Sequence, residues 1–471
     1  MRKTYDLILR GGHLTDPANG RDGLFDIAVA HGKIAAVAPE IPGARALEVI
    51  DVRGKRILPG LIDTHVHVSP WIGGGCGHKM LALAGVTTAL DMAGPVTGVI
   101  DIAAAHGVGL NIACINYVRP KDTVSGEDPD TAELAAYLDK SLKDGAIGLK
   151  ILGGHYPLTP EASARTIAAA NARGAYVAFH AGSLATGSNL EGVREAFQLI
   201  GGGACHLAHV ASYCRGQVLD APAEGEEALA LLQAHPNVYS ESYLATINGT
   251  SGEIANGVPG SRMTRKCLEI GGFSPDEAGL EAAILAGWCQ VNAEDGGLIG
   301  LSAGPDAVAY WRNRKTDVTV SFRVNPPEPR LRIATAKRPD GSFAVDSIST
   351  DGGGIPRNVI LEFGLALVKL ETLTMREFAV KTSLNPAKAL GLKNKGHLSE
   401  GADADITVVD AAAMKAAMTI VGGQMVMFNG LVLGRGSTII TTPEGAAAVR
   451  GKGLAALVVD PAATPFLRMR P

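Results

Sequence analysis

Two histidines separated by one residue are the first sign of chemistry in this sequence. His65 and His67 lie in LIDTHVHV, a run with the apolar and β-branched character of a buried strand. Side chains at positions i and i+2 of a strand point to the same face, so both imidazoles could bind one divalent metal ion. The alternative is a pair of packed or surface histidines, which the motif alone does not exclude.

Further polar side chains stand near the ends of other apolar runs. His180 closes AYVAFH, His209 closes CHLAH, Lys150 lies in IGLKIL and Asp351 follows SIST. Each lies near the carboxyl end of its predicted strand, which is where barrel enzymes hold their active sites. Four histidines and one aspartate at such positions predict a metal site.

The elements that must position these side chains are short apolar strands that alternate with helical stretches. Seven runs occur between Leu61 and Tyr243, at about 30 residues per unit, the length of a βα unit. An eighth run covers 343–350. Eight βα units predict an α/β fold with a (β/α)8 TIM-like barrel. The alternative is a doubly wound sheet, but no G-x-G-x-x-G motif follows an early strand.

The regions outside the barrel differ from it in pattern. Residues 1–57 and 397–442 are short strands and turns, and they predict one small β-sandwich domain formed by both chain termini. The barrel would then cover 58–396, and residues 443–471 would form a C-terminal arm. The segment 244–342 is too long for a plain loop, so we expect it to contain helices and to form much of a lid.

Composition and charge exclude several classes of protein. Hydrophobic residues make up 46% of the 471 residues, which excludes a disordered chain. The net charge is −4 and no cluster of lysine and arginine stands out, so we expect no nucleic-acid partner. Six scattered cysteines without a CxxC pair predict reduced thiols and a cytoplasmic location. The pattern predicts no signal peptide and no membrane-spanning helix, so no membrane partner is expected.

Longer motifs resemble one superfamily of enzymes. PGLIDTHVHV, GVTTALDM, TSLNPAKALGL and KGHLSEGADADITVVD are similar to hallmarks of the amidohydrolase superfamily. Within it, LKILGGHYPLTPEASARTIAAANARGAYVAFHAG and NVYSESYL resemble hydantoinases, FRVNPPEPR resembles dihydroorotases, and HVHVSPWIGGGCGH and STDGGGIPRN resemble isoaspartyl dipeptidases. The resemblance covers nearly the whole chain.

The resemblance implies a binuclear metal centre. In this branch the strand-four lysine is carboxylated, so Lys150 would carry a CO2-derived carbamate that bridges two divalent metal ions, with zinc as the expected metal. His65, His67 and Asp351 would bind the first ion, and the second would be bound by the pair His180 and His209. His206 is a weaker candidate for the sixth-strand ligand.

The resemblance also implies a mechanism. A metal-bridging hydroxide would attack a carbonyl carbon, and Asp351 would act as base and then as acid. The oxyanion donor of hydantoinases is a tyrosine five residues after the bridging lysine. Here His155 holds that position and Tyr156 follows it, so either residue is a candidate. Candidate contacts to the substrate are Arg323, Asn325, Arg330, Gly352 and Gly353.

The resulting hypothesis is a hydrolase that cleaves an amide C–N bond in a cyclic amide, an imide or an N-acyl compound. A deaminase or an ester or lactone hydrolase is the alternative, although Ser183 replaces the glutamate of many deaminases. A non-catalytic hydantoinase-like scaffold is the remote alternative, because such proteins lose the ligands that this chain keeps. We expect a small-molecule substrate and a homodimer or homotetramer.

Overall fold

The computed structural model describes residues 4–463. Each of the eight apolar runs contains at least one strand. In chain order the strands are Leu61–His67, Val86–Asp91, Val108–Cys114, Asn116–Val118, Gly148–Ile151, Tyr176–Phe179, Cys205–Leu207, Val238–Tyr243, Ser347–Ser349 and Gly352–Gly353. The third run is divided into two strands, and the short strand Gly352–Gly353 directly follows the eighth run.

These strands form two parallel arcs that follow the chain order. One arc runs from Asn116–Val118 to Ser347–Ser349, and the other contains Gly352–Gly353, Leu61–His67, Val86–Asp91 and Val108–Cys114. The third run therefore takes part in both arcs, as does the eighth run together with the strand that follows it. Because neighbouring strands are parallel, their carboxyl ends meet at one edge, and this edge carries the candidate ligands.

Helices connect most of these strands and cover their outer faces. They are Gly74–Leu83, Val96–His106, Thr131–Asp144, Pro160–Arg173, Leu190–Ile200, Ala221–Ala234, Ile360–Lys369, Met375–Ala379 and Asn385–Ala389. Polar side chains accept hydrogen bonds from backbone N–H groups at the start of several helices. Asp130 accepts from the Glu133 N–H, and Asp220 accepts from the Ala223 N–H. Buried faces such as Leu134, Leu138 and Leu142 pack against the strands.

Both ends of the chain contribute to one nine-stranded sheet. Its strands are Tyr5–Asp16, Arg21–Ala30, Lys33–Ala38, Ala46–Asp51, Arg56–Pro59, Ile406–Asp410, Lys415–Val421, Gln424–Phe428 and Leu431–Val432. The two halves meet where Ile406–Asp410 pairs antiparallel with Arg56–Pro59. The strand Arg56–Pro59, which immediately precedes the ligand-bearing strand Leu61–His67, therefore belongs to the shared sheet.

The residues around the predicted C-terminal arm include regular elements. The strand Gly436–Thr441 pairs in parallel with Val108–Cys114 on one side and with Ala455–Val458 on the other. The helix Ala446–Gly451 lies between these two strands in the chain. Residues 464–471 of the predicted arm, and residues 1–3 of the predicted sandwich, lie outside the described residues. Within residues 4–463, no helix is both long and apolar enough to cross a membrane.

The segment 244–342 contains a small subdomain above the ligand-bearing edge. It has the expected helices, Arg262–Ile270, Glu277–Leu285, Pro305–Asn313 and Pro327–Thr335, and also an antiparallel sheet of Asn248–Ser251, Thr319–Phe322, Cys289–Asp295 and Leu298–Ser302, with a small hairpin of Ile254–Ala255 and Val258–Pro259. The backbone N–H of Ile299 lies 3.4 Å from the Met80 sulfur. The subdomain thus reaches from the seventh run across to the helix that follows His67.

Candidate metal centre

Three predicted ligands converge at the edge where the first and eighth runs end. The candidate ligand atoms of His65, His67 and Asp351 all lie within 4.8 Å of one another. Nε2 of His67 is 2.8 Å and Nε2 of His65 is 3.3 Å from Oδ1 of Asp351. The structure therefore brings together the three residues that were expected to bind the first metal ion.

Backbone pairing holds Asp351 beside the two histidines. Its N–H donates to the carbonyl of His65 at 2.8 Å, and the following strand Gly352–Gly353 pairs with Val66 and His67. Asp351 has a φ of +51° and His209 one of +33°. Left-handed backbone at non-glycine residues is uncommon and concentrates at functional sites.

The two positions after Asp351 are tightly packed, and Gly353 also has a left-handed backbone, with a φ of +76°. A Cβ atom on Gly353 would lie 2.4 Å from the His67 carbonyl oxygen, and one on Gly352 would lie 2.5 Å from Asn358 Oδ1. The Gly353 N–H also donates to Asn358 Oδ1 at 2.7 Å. The contacts of Gly352 and Gly353 are therefore with the protein itself, and they allow the eighth run to approach the first closely.

A buried carboxylate that the sequence analysis did not single out orients His65. Glu241, in the strand Val238–Tyr243, has Oε1 2.7 Å from Nδ1 of His65, and the same oxygen accepts the His209 N–H at 2.7 Å. The Ser349 hydroxyl donates to Oε2. A carboxylate behind a ligating histidine fixes its ring and tautomer. The signal in the sequence was an acidic residue within the buried strand VYSESY.

The second predicted ligand pair also meets at this edge. The ring centroids of His180 and His209 are 4.5 Å apart, and the His209 ring stacks on His65 at 5.1 Å. Nδ1 of His209 lies 2.6 Å from the Ser212 hydroxyl, and Nε2 of His180 lies 2.8 Å from the Ser188 hydroxyl. Each serine engages one ring nitrogen, so the other nitrogen remains available to a metal ion.

Lys150 is buried beside the two ligand groups. Its ammonium Nζ lies 3.2 Å from the Met92 sulfur. Burial lowers the pKa of Lys150 to about 8, although the charges of Glu241 and Asp351 oppose that shift. A lysine with a lowered pKa has a larger neutral fraction at neutral pH, and the neutral amine is the form that can react with CO2.

Burial also sets the charge of the other ligands. It lowers the pKa of His65, and it holds the pKa of both His180 and His209 well below the usual range, so their rings are neutral, as metal ligation requires. Burial alone would raise the pKa of Asp351, but Arg357 and the two nearby histidines hold it well below its usual range.

Arg357 is a second residue that the sequence analysis did not single out. It is buried, with Nη2 2.5 Å from Asp351 Oδ2 and Nε donating to the Asp351 carbonyl at 2.6 Å. Its guanidinium also lies 5.0 Å from the centre of the Tyr243 ring. Asp351 is therefore held from one side by Arg357 and from the other by His65 and His67.

The two candidate oxyanion donors occupy different surroundings. The His155 ring packs edge-on against His180, with centroids 4.8 Å apart, and it is solvent-exposed. The Tyr156 ring packs against the Arg119 guanidinium at 4.0 Å and is also exposed. Of the two side chains, His155 is the one with a ring contact to a candidate ligand.

The predicted substrate contacts of the inserted segment divide into two kinds. Asn325 is buried, and its amide nitrogen donates to the carbonyls of Ala245 and Ile247. Arg330 is buried too, and it donates to the carbonyls of Leu244 and Pro326. Both thus hold the segment that follows the strand Val238–Tyr243. Arg323, by contrast, has an exposed side chain.

His206, the weaker candidate ligand, lies deeper within the fold. Its Nδ1 is 2.7 Å from the Tyr176 hydroxyl, and its Nε2 has no hydrogen-bond partner within the described part of the chain. Nε2 is 3.8 Å from Glu241 Oε1. His206 therefore lies behind Glu241, whereas His209 lies beside His65 and His180.

The donor set fits divalent metal ions. Neutral imidazoles, a carboxylate and a buried lysine converge, and the imidazoles of His65, His180 and His209 are each oriented by a second polar group. Histidine and carboxylate ligands suit zinc and neighbouring transition metals. The edge of the two arcs can therefore hold a metal centre whose ligands come from the first, fifth, sixth and eighth runs.

Known proteins share both sequence and fold with this chain. Residues 330–432 match the Amidohydrolase family. A dihydroorotase of Geobacter metallireducens is 23% identical over 447 residues, which are 87% of this chain and 90% of that protein. An allantoinase of Desulfitobacterium hafniense is 44% identical over 93 residues, 19% of this chain and 20% of the relative.

Two solved structures are similar over almost the whole chain. N-acyl-D-glutamate deacylase of Bordetella bronchiseptica, complexed with zinc and a phosphonate inhibitor, has a TM-score of 0.68 and 16% identity, covering 93% of this chain and 99% of that one. Dihydropyrimidinase of Brevibacillus agri has a TM-score of 0.56 and 18% identity, covering 95% and 100%.

The chain therefore carries an Amidohydrolase family match over residues 330–432, and it is similar to dihydroorotases over most of its length. The resemblance drawn from its motifs is thereby confirmed at that level. The relatives named dihydroorotase and allantoinase are hydrolases that act on C–N bonds.

Proposed function

We propose that this protein is a metal-dependent hydrolase that cleaves an amide C–N bond in a cyclic amide, an imide or an N-acyl compound. The observation that carries the proposal is the convergence of His65, His67 and Asp351 within 4.8 Å. His180 and His209 stand beside this group, so ligands for a second ion are available. The named relatives support C–N bond hydrolysis as the reaction class.

The proposed cofactor is a pair of divalent metal ions, with zinc as the expected metal. His65, His67 and Asp351 would hold one ion, His180 and His209 would hold the other, and Lys150 would bridge both as a carbamate. When bound, the ions would supply a Lewis acid for the substrate carbonyl and lower the pKa of a shared water.

The carbamate is supported by the surroundings of Lys150. In forming it, the neutral amine bonds to the carbon of CO2 and releases a proton. The lowered pKa of Lys150 favours the neutral amine. The carbamate is an anion, whereas the protonated lysine is a buried cation. The anion would attract the two proposed metal dications, which the cation would repel.

The roles proposed for the other side chains follow from their contacts. Asp351 would take the proton of the attacking water and pass it to the leaving nitrogen, acting as base and then as acid. Arg357 would hold the Asp351 carboxylate in place. We propose His155 as the oxyanion donor, ahead of Tyr156, because its ring lies against His180.

We propose that the two parallel arcs close into a (β/α)8 barrel and that the terminal sheet forms a β-sandwich. The pairing of the third and eighth runs in both arcs supports closure. We also propose a homodimer or homotetramer, a small-molecule substrate and a cytoplasmic location. Six free cysteines support the last point.

Metal content measured with and without bicarbonate tests the proposal. We expect about two equivalents of metal per chain, dependent on bicarbonate, and loss of both metal and activity in Lys150→Ala. Two equivalents retained in Lys150→Ala would contradict the bridging role. The loaded protein would then be assayed on cyclic amides and N-acyl compounds beside matched esters and amino-purines. Turnover of only the esters would show that the protein is an ester hydrolase, and turnover of only the amino-purines would show that it is a deaminase. Either result would contradict amide hydrolysis.

A further inference from the structure

Arg215 presents a positive charge without a negatively charged partner. Its Nε donates to Asn325 Oδ1 at 2.9 Å, and its Nη2 lies 2.9 Å from Asn248 Oδ1 and 3.3 Å from the Tyr243 hydroxyl. Every one of these oxygens is neutral. Within residues 4–463, no carboxylate oxygen lies within 4.0 Å of the Arg215 guanidinium, which is the distance limit for an ion pair.

The guanidinium is fixed in place and retains donor capacity. Of its five N–H groups, those of Nε and Nη2 have oxygen acceptors, whereas those of Nη1 have the Met263 sulfur at 3.8 Å. Asn325 is itself fixed by the carbonyls of Ala245 and Ile247. Asn325 therefore acts as a positioning residue for Arg215. A partly buried cation costs free energy unless it gains a counter-charge.

Arg215 lies close to the proposed reaction centre. The Tyr243 ring, whose hydroxyl contacts Arg215, has its centroid 6.1 Å from that of His209. On the other side, the Met263 sulfur belongs to the helix Arg262–Ile270, which contacts the turn Gly153–His155. Arg215 thus lies between the neighbours of His209 and those of His180, beneath the inserted subdomain.

The charge balance of this region favours an anion. Arg330 also lacks an ion-pair partner among the described residues, and it lies against the Leu244 carbonyl in the same segment. Arg357 is paired with Asp351, a proposed metal ligand. Arginines in a cleft raise the local concentration of anionic ligands.

We propose that Arg215 binds a carboxylate of the substrate, so that the substrate class is an amide or imide carrying an acidic group. This inference rests on the proposed function for its reaction. The anion site itself is inferred from Arg215 and does not depend on which reaction the protein catalyses. Arginine is suited to carboxylates because its hydrogen bonds to them are charge-assisted.

Matched substrates test the inference. The loaded enzyme would be assayed on N-acetylalanine against N-acetylalaninamide, and on a six-membered cyclic imide with and without a ring carboxylate. We expect the acidic member of a hydrolysed pair to have the higher kcat/KM. Arg215→Met should lower that value by about 10- to 100-fold, the range for a hydrogen bond to a charged group, and change the neutral member by less than about 3-fold.

A binding measurement separates this inference from the proposed function. Calorimetric titration of the metal-free protein with glutarate, a dicarboxylate that cannot be hydrolysed, should show binding that Arg215→Met weakens by about 10-fold or more. Arg314→Met is the matched control, because Arg314 is an exposed arginine of the same subdomain that contacts the Tyr310 ring. Glutarate binding that depends on Arg215 without hydrolysis of any amide would support the anion site and contradict the proposed reaction.

Two results would overturn the inference. One is amide hydrolysis by the wild type with no preference for acidic substrates. The other is an equal loss on the acidic and neutral members in Arg215→Met, which would make Arg215 a structural residue. If Arg215→Met does not fold, Arg215→Lys serves instead. It keeps the charge but not the fork of donors, so it should retain part of the preference for the acidic member.

Discussion

The Nδ1 atom of His65 lies 2.7 Å from Oε1 of Glu241, inside the fold and away from Asp351. This contact leaves Nε2 of His65 directed at Asp351, 3.3 Å away. The same carboxylate oxygen also accepts the backbone N–H of His209. One buried glutamate thus orients a candidate ligand of the first metal site and fixes the backbone of a ligand of the second.

Glu241→Gln should weaken metal binding without removing the ligands. The amide keeps the shape of the side chain but loses the charge that fixes the His65 ring, and losing such a partner of a ligating histidine costs about 10- to 100-fold in metal affinity. Competition with a chromogenic chelator measures the affinity. Glu227→Gln, at a surface pair with Arg194, is the control. An affinity within about twofold of the wild type would contradict the orienting role.

Asp351→Asn should preserve the fold and lower kcat by at least about 100-fold, because the amide cannot take up and release a proton. The backbone bond from Asp351 to His65 does not depend on the side chain. Steady-state kinetics and circular dichroism check the two parts. Metal content is measured on the same samples, because Asp351 is also a proposed ligand. Turnover near that of the wild type would remove the assignment of Asp351 as the base.

Arg357→Met should destabilise the metal-free protein by about 3–5 kcal/mol, because it leaves the buried Asp351 carboxylate without its cation. Added zinc should restore part of that loss, since a bound cation replaces the missing charge. Denaturant unfolding with and without zinc measures both effects. Arg332→Met removes an exposed pair with Glu226 and should cost less than about 1 kcal/mol. Equal losses in the two variants would argue against a buried ion pair at Asp351.

Acid should destabilise the protein through His78. Burial lowers the pKa of His78 to about 4, and neither ring nitrogen has a hydrogen-bond partner within the described residues. The unfolded chain takes up a proton near pH 6.5 and the folded chain does not, so this stability is present above pH 6.5 and falls as the pH drops toward 4. The loss from pH 7 to pH 5 should be about 2 kcal/mol.

His78→Leu removes the titrating ring and should reduce the acid-induced loss by about that amount. Denaturant unfolding at pH 7 and pH 5 measures it for both proteins. His106→Gln, at an exposed histidine nearby, should keep most of the pH dependence. The same pH dependence in His78→Leu and in the wild type would show that other groups are responsible.

The sequence by itself determined the order of the strands and most of the candidate ligands. Period-two positions placed His65 and His67 on one face, and repeating βα lengths placed the other ligands at strand ends. These are local properties, because alternation of side chains and the length of a repeat depend on nearby residues. The structure contains a strand in each of the eight runs, and it brings His65, His67 and Asp351 together.

Only the tertiary structure decided which side chains support these ligands. Glu241 lies 176 residues from its partner His65, and nothing in the local pattern pairs them. Arg357 lies only 6 residues from Asp351, but the motif that contains both does not show that the chain turns the guanidinium back onto Asp351. Asn325 was a candidate contact by its motif, but the fold uses its amide to hold Arg215 and the segment after Tyr243. Pairing across long sequence separation depends on how the strands and the inserted subdomain pack, and no short motif encodes that packing.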